Sequence, residues 1–304
     1  MNEYAMAQAV QKAAKPKFYG QKVLKSKVVT HFPENLAREY MRITNTYMTL
    51  LNKTLAEHLP TIRRAIDAEM DGIRRDDSYS VHSVIDRTFM QINADFGKKA
   101  ATFGLANKLA RLSDLTRKLS ISEWKRVVHR TLGINVLEDY YNGEFFRDTL
   151  RLWTQTNVDL IKTVEDRTLG NMRSIVEDGF RSGKSNTAIG RLIQEEYGME
   201  RRHAQFIARD QVAKLNSDLT RSQQEDAGVE EYIWSTSDDA RVRERHAELD
   251  GTRHKWNDPP IVDERTGRRG HPGQDFNCRC SALPVFNLPG LNLPWEGKEY
   301  NANE

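Results

Sequence analysis

Residues 200–235 read ERRHAQFIARDQVAKLNSDLTRSQQEDAGVEEYIWS. Phe206, Ile207, Val212, Leu215 and Leu219 recur at helical spacing and predict a long helix from about Glu200 to Asp226. After Gly228 the period changes. Val229, Tyr232 and Trp234 alternate as on a half-buried strand. This switch divides the chain into a long helical body before it and a compact α+β module after it. The expected fold class is mainly α: a long helical body, a small C-terminal α+β module and an extended tail.

Working back from this stretch, Ser185 is placed to cap a short helix carrying Ile189, Leu192 and Ile193, which Gly198 would end. Leu150, Trp153, Asn157, Leu160, Ile161, Val164, Met172, Ile175 and Val176 predict a helix from Glu144 to about Arg181, closed by Gly183. Asn142-Gly143 is a turn signal. Further back, Ser120 or Ser122 is positioned to cap a short helix with Trp124, Val127 and Val128, ended by Gly133, and Ser80–Leu119 reads as a second long helical region. Asp76-Asp77-Ser78 is a loop and cap signal. A first helix begins near Pro33 and carries Leu36, Tyr40, Ile43, Tyr47, Leu50, Leu51 and Leu55. Pro60 is expected to break or kink it, because proline lacks an N–H and clashes with the preceding turn.

Residues 1–32 read as a basic N-terminal arm, because Pro16, Gly20 and a lysine run interrupt helix. Lys12, Lys15, Lys17, Lys22, Lys25 and Lys27 lie there with no acid among them. Such an arm can neutralise phosphates by counterion release, or it can be a solvated terminus. The expected segments are then 33–142 (helical), 143–228 (helical bundle), 229–286 (α+β module) and 287–304 (tail). In the module, 239–249 forms a short helix ended by Gly251, 257–275 an ordered loop or hairpin, and 277–286 a strand.

Bulk properties exclude several classes. The formal charge of +3, from 46 basic and 43 acidic residues, is too balanced to imply nucleic-acid binding by itself. No run of apolar residues is long enough to span a membrane. The N-terminus lacks the apolar stretch of a signal peptide. Two cysteines do not make a secreted disulfide framework, so synthesis in a reducing host cytoplasm is expected.

The module carries the specific signal. It contains WSTSDDARVRERHAELDG at 234–251, Pro272-Gly273, and NCRC at 277–280. Trp234, Thr236, Asp239, Arg241, Arg243, His246, Leu249, Asp250, Gly251, Pro272, Gly273, Asn277, Cys278, Arg279 and Cys280 resemble the C-terminal signature of the phage Mu F-like head-morphogenesis family. Upstream, Trp153, Asn157, Leu160 and Ile161, a Ser-x-x-Ala-Ile helix and the Ile-Ala-Arg-Asp run at 207–210 are also similar to it. The resemblance spans roughly 120–285. It implies a minor capsid protein of the phage virion, associated with the portal vertex or inner capsid and acting in head assembly, DNA packaging or ejection. Its implied partners are the portal protein, the major capsid or scaffold protein, and packaged DNA. Some members of the family carry an added toxin domain; none is expected after this module.

Read as chemistry, Cys278 and Cys280 would share one face of a strand and offer two thiolates to Zn²⁺, with His246, His271 and His254 as nearby candidates. Cys-x-Cys departs from the usual Cys-x₂₋₄-Cys spacing, and two buried thiols can equally serve as small hydrophobes. Asp239, Arg241 and Arg243 suit an ion-pair network with Asp250 or Asp275. Residues 241–280 hold nine basic and seven acidic side chains, too balanced for a DNA-binding surface. No phosphate-cradling glycine loop and no nucleophile–base pair at a familiar spacing is present, so no catalytic residues and no turnover reaction are expected. The alternatives are a DNA-binding internal protein ejected with the genome, and a nucleic-acid or nucleotide enzyme built on the His/Arg/Cys module.

Overall fold

The computed structural model describes residues 3–72, 78–137, 141 and 143–295. Six α-helices precede the module: α1 Glu3–Ala14, α2 Glu34–Gly72, α3 Ser78–Phe103, α4 Leu105–Leu132, α5 Glu144–Arg181 and α6 Asn186–Asp226. A strand, β1 Val23–Lys25, lies between α1 and α2. The module adds β2 Glu231–Ser235, α7 Glu244–Leu249, β3 Arg253–Lys255, β4 Ile261–Asp263, β5 Arg268–Arg269 and β6 Ser281–Asn287. The protein is therefore mainly α with a small C-terminal sheet region.

The chain forms two compact units. One comprises residues 1–37, 112–153 and 209–304; the other comprises 38–111 and 154–208. The helical unit, 38–111 with 154–208, buries Tyr40, Tyr47, Leu51, Phe96, Ile161 and Ile193. The Tyr40 hydroxyl donates to Asn157 Oδ1 at 2.8 Å and that of Tyr47 to Glu165 Oε2 at 2.7 Å. These bonds satisfy polar atoms that would be costly to bury alone.

The other unit contains a four-stranded antiparallel sheet in the order β1-β6-β2-β3. Its registers pair Leu24 with Phe286, Trp234 with Ala282, and Tyr232 with His254. β4 and β5 form a separate hairpin. Tyr232, Trp234, Leu249, Trp256, Val262, Cys278, Cys280 and Ala282 make the module's core.

Several expectations are corrected. The N-terminal arm is built structure from Glu3 onward. α1 and a 3-10 turn, Lys15–Phe18, bury Val10, Ala14 and Phe18, and β1 supplies an edge strand. Apolar residues on one face of α1 outweigh the breaks at Pro16 and Gly20. Pro60 does not end α2, which continues to Gly72. In the second helical region the sequence marks Gly97 and Gly104 as kinks or close contacts: a break does fall at Gly104 (φ +66°), between α3 and α4, whereas Gly97 lies inside α3. Ser120 and Ser122 cap nothing, since α4 runs through both, and the buried Ser120 hydroxyl donates to Gln223 Oε1 at 3.2 Å. Ser185 does cap α6, accepting from the Ala188 N–H, but Gly198 lies inside that helix. The tail is not extended through its described part: residues 288–290 form a 3-10 turn, and Leu291 and Leu293 are buried. Asp76, Asp77 and Asn142, and the tail beyond 295, lie outside the described residues.

Candidate metal centre and its ion-pair support

The site is assembled from three local structures. α7 carries His246, with Gly251 (φ +73°) just beyond its end, where a left-handed backbone suits glycine. The Gly251 N–H donates to the Trp234 carbonyl at 2.9 Å, and the Thr236 N–H and hydroxyl both donate to Asp250 Oδ1, at 2.7 and 3.1 Å. These contacts fix α7 against β2. The turn at Pro272-Gly273 and the NCRC segment then run across to β6. Asn277 adopts a left-handed conformation (φ 50°), and its N–H donates to Asp210 Oδ1 at 2.9 Å. Asp210, from the Ile-Ala-Arg-Asp run, is itself buried and also accepts from Lys214 Nζ at 2.6 Å.

This framework brings His246, Cys278 and Cys280 together. Their ligand atoms lie within 4.8 Å of one another. His246 Nδ1 is 3.6 Å from each sulfur. About 3.6 Å is the N···S edge of a tetrahedron with Zn–S near 2.3 Å and Zn–N near 2.05 Å. The cysteines are not on a strand, as the sequence suggested, but in the irregular segment just before β6. The N–H groups of Gly273 and Cys280 both donate to Cys278 Sγ at 3.4 Å, which favours a thiolate there.

Behind His246 stands Asp275, which is 4% exposed. Its Oδ2 lies 3.1 Å from His246 Nε2 and 3.4 Å from Arg243, and its Oδ1 lies 2.7 Å from Arg268. The Phe276 N–H also donates to Oδ1, at 2.8 Å. A carboxylate on the second imidazole nitrogen is the usual way a metal-bound histidine is oriented. Burial would lower the His246 pKa, but the hydrogen bonds to Asp275 and Cys278 outweigh it and raise it to about 9. Cys278 is lowered to about 5, chiefly through its hydrogen bond with Cys280 and also by His246, against desolvation. Cys280 is pushed up by the same shared hydrogen bond and by burial. This donor set can hold a metal ion.

The other motif residues divide. Arg279 donates to Asp239 at 2.6 Å, and that bond, with the Arg241 N–H, holds the Asp239 carboxyl down to about 2. Asp239 lies outside α7, which begins at Glu244 and not at 239 as the sequence suggested. Arg241 reaches Asp239, at 3.6 Å. Arg243 reaches both Asp275 and the Phe276 carbonyl, the latter at 2.6 Å. Trp234 packs edge-on to His246, with ring centroids 5.4 Å apart.

His271 does not join the cysteines. The Tyr232 hydroxyl and His271 Nδ1 are 2.8 Å apart, and the imidazole lies 4.8 Å from the Trp256 ring. The six lysines are exposed: Lys12 on α1, Lys15 and Lys17 on the 3-10 turn, Lys25 on β1, and Lys22 and Lys27 on either side of that strand. Asp210 and Arg268 were not visible as site residues from sequence. An acid directly after Ile-Ala-Arg was a signal, but nothing local ties it to Asn277, 67 residues later.

Comparison with known proteins adds a family. An uncharacterized protein of Haemophilus influenzae is 29% identical over 229 residues, which is 74% of this chain and 49% of that protein. The NAD(+)--arginine ADP-ribosyltransferase EFV of Enterococcus faecalis is 30% identical over 150 residues, 44% of this chain and 30% of that protein. The chain thus spans about half or less of these relatives. No solved structure matches it significantly. No helix among the described residues is long and apolar enough to cross a membrane. The family described as Phage Mu protein F like protein matches residues 171–283, which include α6, the metal centre and its ion pairs, and this region of the chain is a phage Mu F-like region.

Proposed function

We propose that the protein is a minor head protein of the phage or prophage that encodes it, acting in head morphogenesis at the portal vertex or inner capsid. One observation carries the reading. Residues of the Mu F-like signature interlock with their neighbours: His246 and Arg243, joined by Arg268 from outside the signature, converge on the buried carboxylate of Asp275, and Arg279 binds Asp239. Such a network fixes shape more than it adds stability. A rigid platform of this kind suits docking on the portal, capsid or scaffold protein and requires no turnover. Zinc is the ion that best fits a cytoplasmically assembled Cys₂His set, where it would staple a small polar module. The exposed lysines give packaged DNA as a further contact.

The test is genetic and biochemical. An amber mutation in the gene should reduce the yield of infective, DNA-filled heads, and purified virions should contain a few copies of the protein. A protein absent from virions and dispensable for heads overturns the reading.

A further inference from the structure

The metal centre has three protein donors, whereas a closed structural zinc site has four. The neighbouring candidates for the fourth are engaged elsewhere. His271 is hydrogen-bonded to the Tyr232 hydroxyl and to the Trp256 backbone. His254 Nε2 lies 2.6 Å from the Thr252 hydroxyl. Asp250 accepts two hydrogen bonds from Thr236, and Asp275 stands on the far nitrogen of His246. Among the described residues no further His, Cys, Asp or Glu joins the group.

Space exists instead. Cys278 and Cys280, though not His246, line a cavity of about 20 Å³ together with Ser217, Trp256 and Gly273. That is room for about one water molecule. Trp256 also has a buried Nε1–H without an acceptor among the described residues. A buried donor of that kind ordinarily has a partner, and solvent is the usual one where protein provides none.

We infer that the metal ion held by His246, Cys278 and Cys280 keeps an open fourth position, filled by an exchangeable water in this cavity. The inference rests on the metal reading above. The cavity's size limits the ligand class to water, hydroxide or a very small anion.

Cobalt(II) substitution tests this on the full chain. The cobalt protein should take up about one equivalent and show thiolate-to-cobalt charge-transfer absorption. Its low-temperature EPR signal should broaden in oxygen-17-enriched water, because the oxygen nucleus is bound directly. The variants His271→Gln and His254→Ala should keep the same cobalt content and visible spectrum. An unbroadened signal with cobalt bound, or loss of cobalt in either variant, overturns the open position and leaves a closed site. Failure to take up cobalt, with no zinc in the protein as purified, overturns the metal reading itself and the inference with it.

Discussion

Asp275 connects the chemistry of the module to its architecture. Its carboxylate orients His246 on one side and accepts from Arg243 and Arg268 on the other. Its pKa is lowered: burial opposes ionisation, but the hydrogen bonds from His246 and the Phe276 N–H and the two guanidinium groups prevail. Asp275→Asn keeps the size but removes the charge, leaving two arginines and an imidazole around a neutral amide. We predict a loss of about 3 kcal/mol or more in unfolding free energy, as when one member of a buried ion pair is removed, and weaker metal retention, measured by chelator competition. Unchanged affinity in a folded Asp275→Asn protein would show that the carboxylate does not orient the ligand. His271 gives a pH prediction of its own. Burial, helped by the charge of Arg221, lowers its pKa to about 4 from an unfolded value near 6.5. The unfolded chain therefore binds more protons between those values, so stability is full above pH 6.5 and is lost as pH falls toward 4, by up to about 1.4 kcal/mol per pH unit. Thermal melts should show this slope, and it should flatten in His271→Gln.

The elements that hold the module depend on backbone positions as much as on side chains. Gly228 follows α6 with φ +76°, and a Cβ there would sit 1.9 Å from the Gly290 carbonyl oxygen. Gly104, between α3 and α4, has φ +66° but open space, with only Asn107 Nδ2 at 4.0 Å. Gly104→Ala should therefore cost about 1 kcal/mol of strain. Gly228→Ala adds a backbone collision and should cost several times more; equal midpoints in denaturant would refute the close approach. The contrast shows what was legible in the sequence. The helices of the body were readable, because Leu51, Ile161 and Val212 repeat at the period of an α-helix. The module's motif residues were readable from their order. Two kinds of feature were not. Whether a glycine or serine ends a helix depends on contacts made far away, so Ser120 became a mid-helix donor to Gln223 and Gly198 an interior residue. The packing of the N-terminal segment depended on β6, more than 250 residues later, with which Leu24 pairs opposite Phe286. No local periodicity encodes that partner. Phe18→Ala, which empties a site 1% exposed, should accordingly cost about 3–5 kcal/mol, whereas a loose arm would lose nothing measurable.

At the scale of the whole chain, stability comes from two different sources. The helical unit, 38–111 with 154–208, buries large apolar side chains on long helices. The module has short strands and a small core of Tyr232, two tryptophans, two cysteines, Leu249, Val262 and Ala282, with ion pairs beside it. A small core is the setting in which a bound metal contributes most, because binding free energy becomes folding free energy. Removing the ion should therefore act locally. Hydrogen exchange followed by mass spectrometry, before and after treatment with a strong chelator, should show lost protection in peptides from 231–255 and 268–287. Protection in peptides from 40–60, 90–110 and 160–175 should be unchanged. Cys278→Ser with Cys280→Ser should show the unprotected pattern without chelator and no further response to it. Uniform loss across both sets would mean that the metal supports the chain as one cooperative body. No loss in either would leave the two thiols as ordinary core residues, and the rigidity of the module would then rest on Asp275 and its arginines alone.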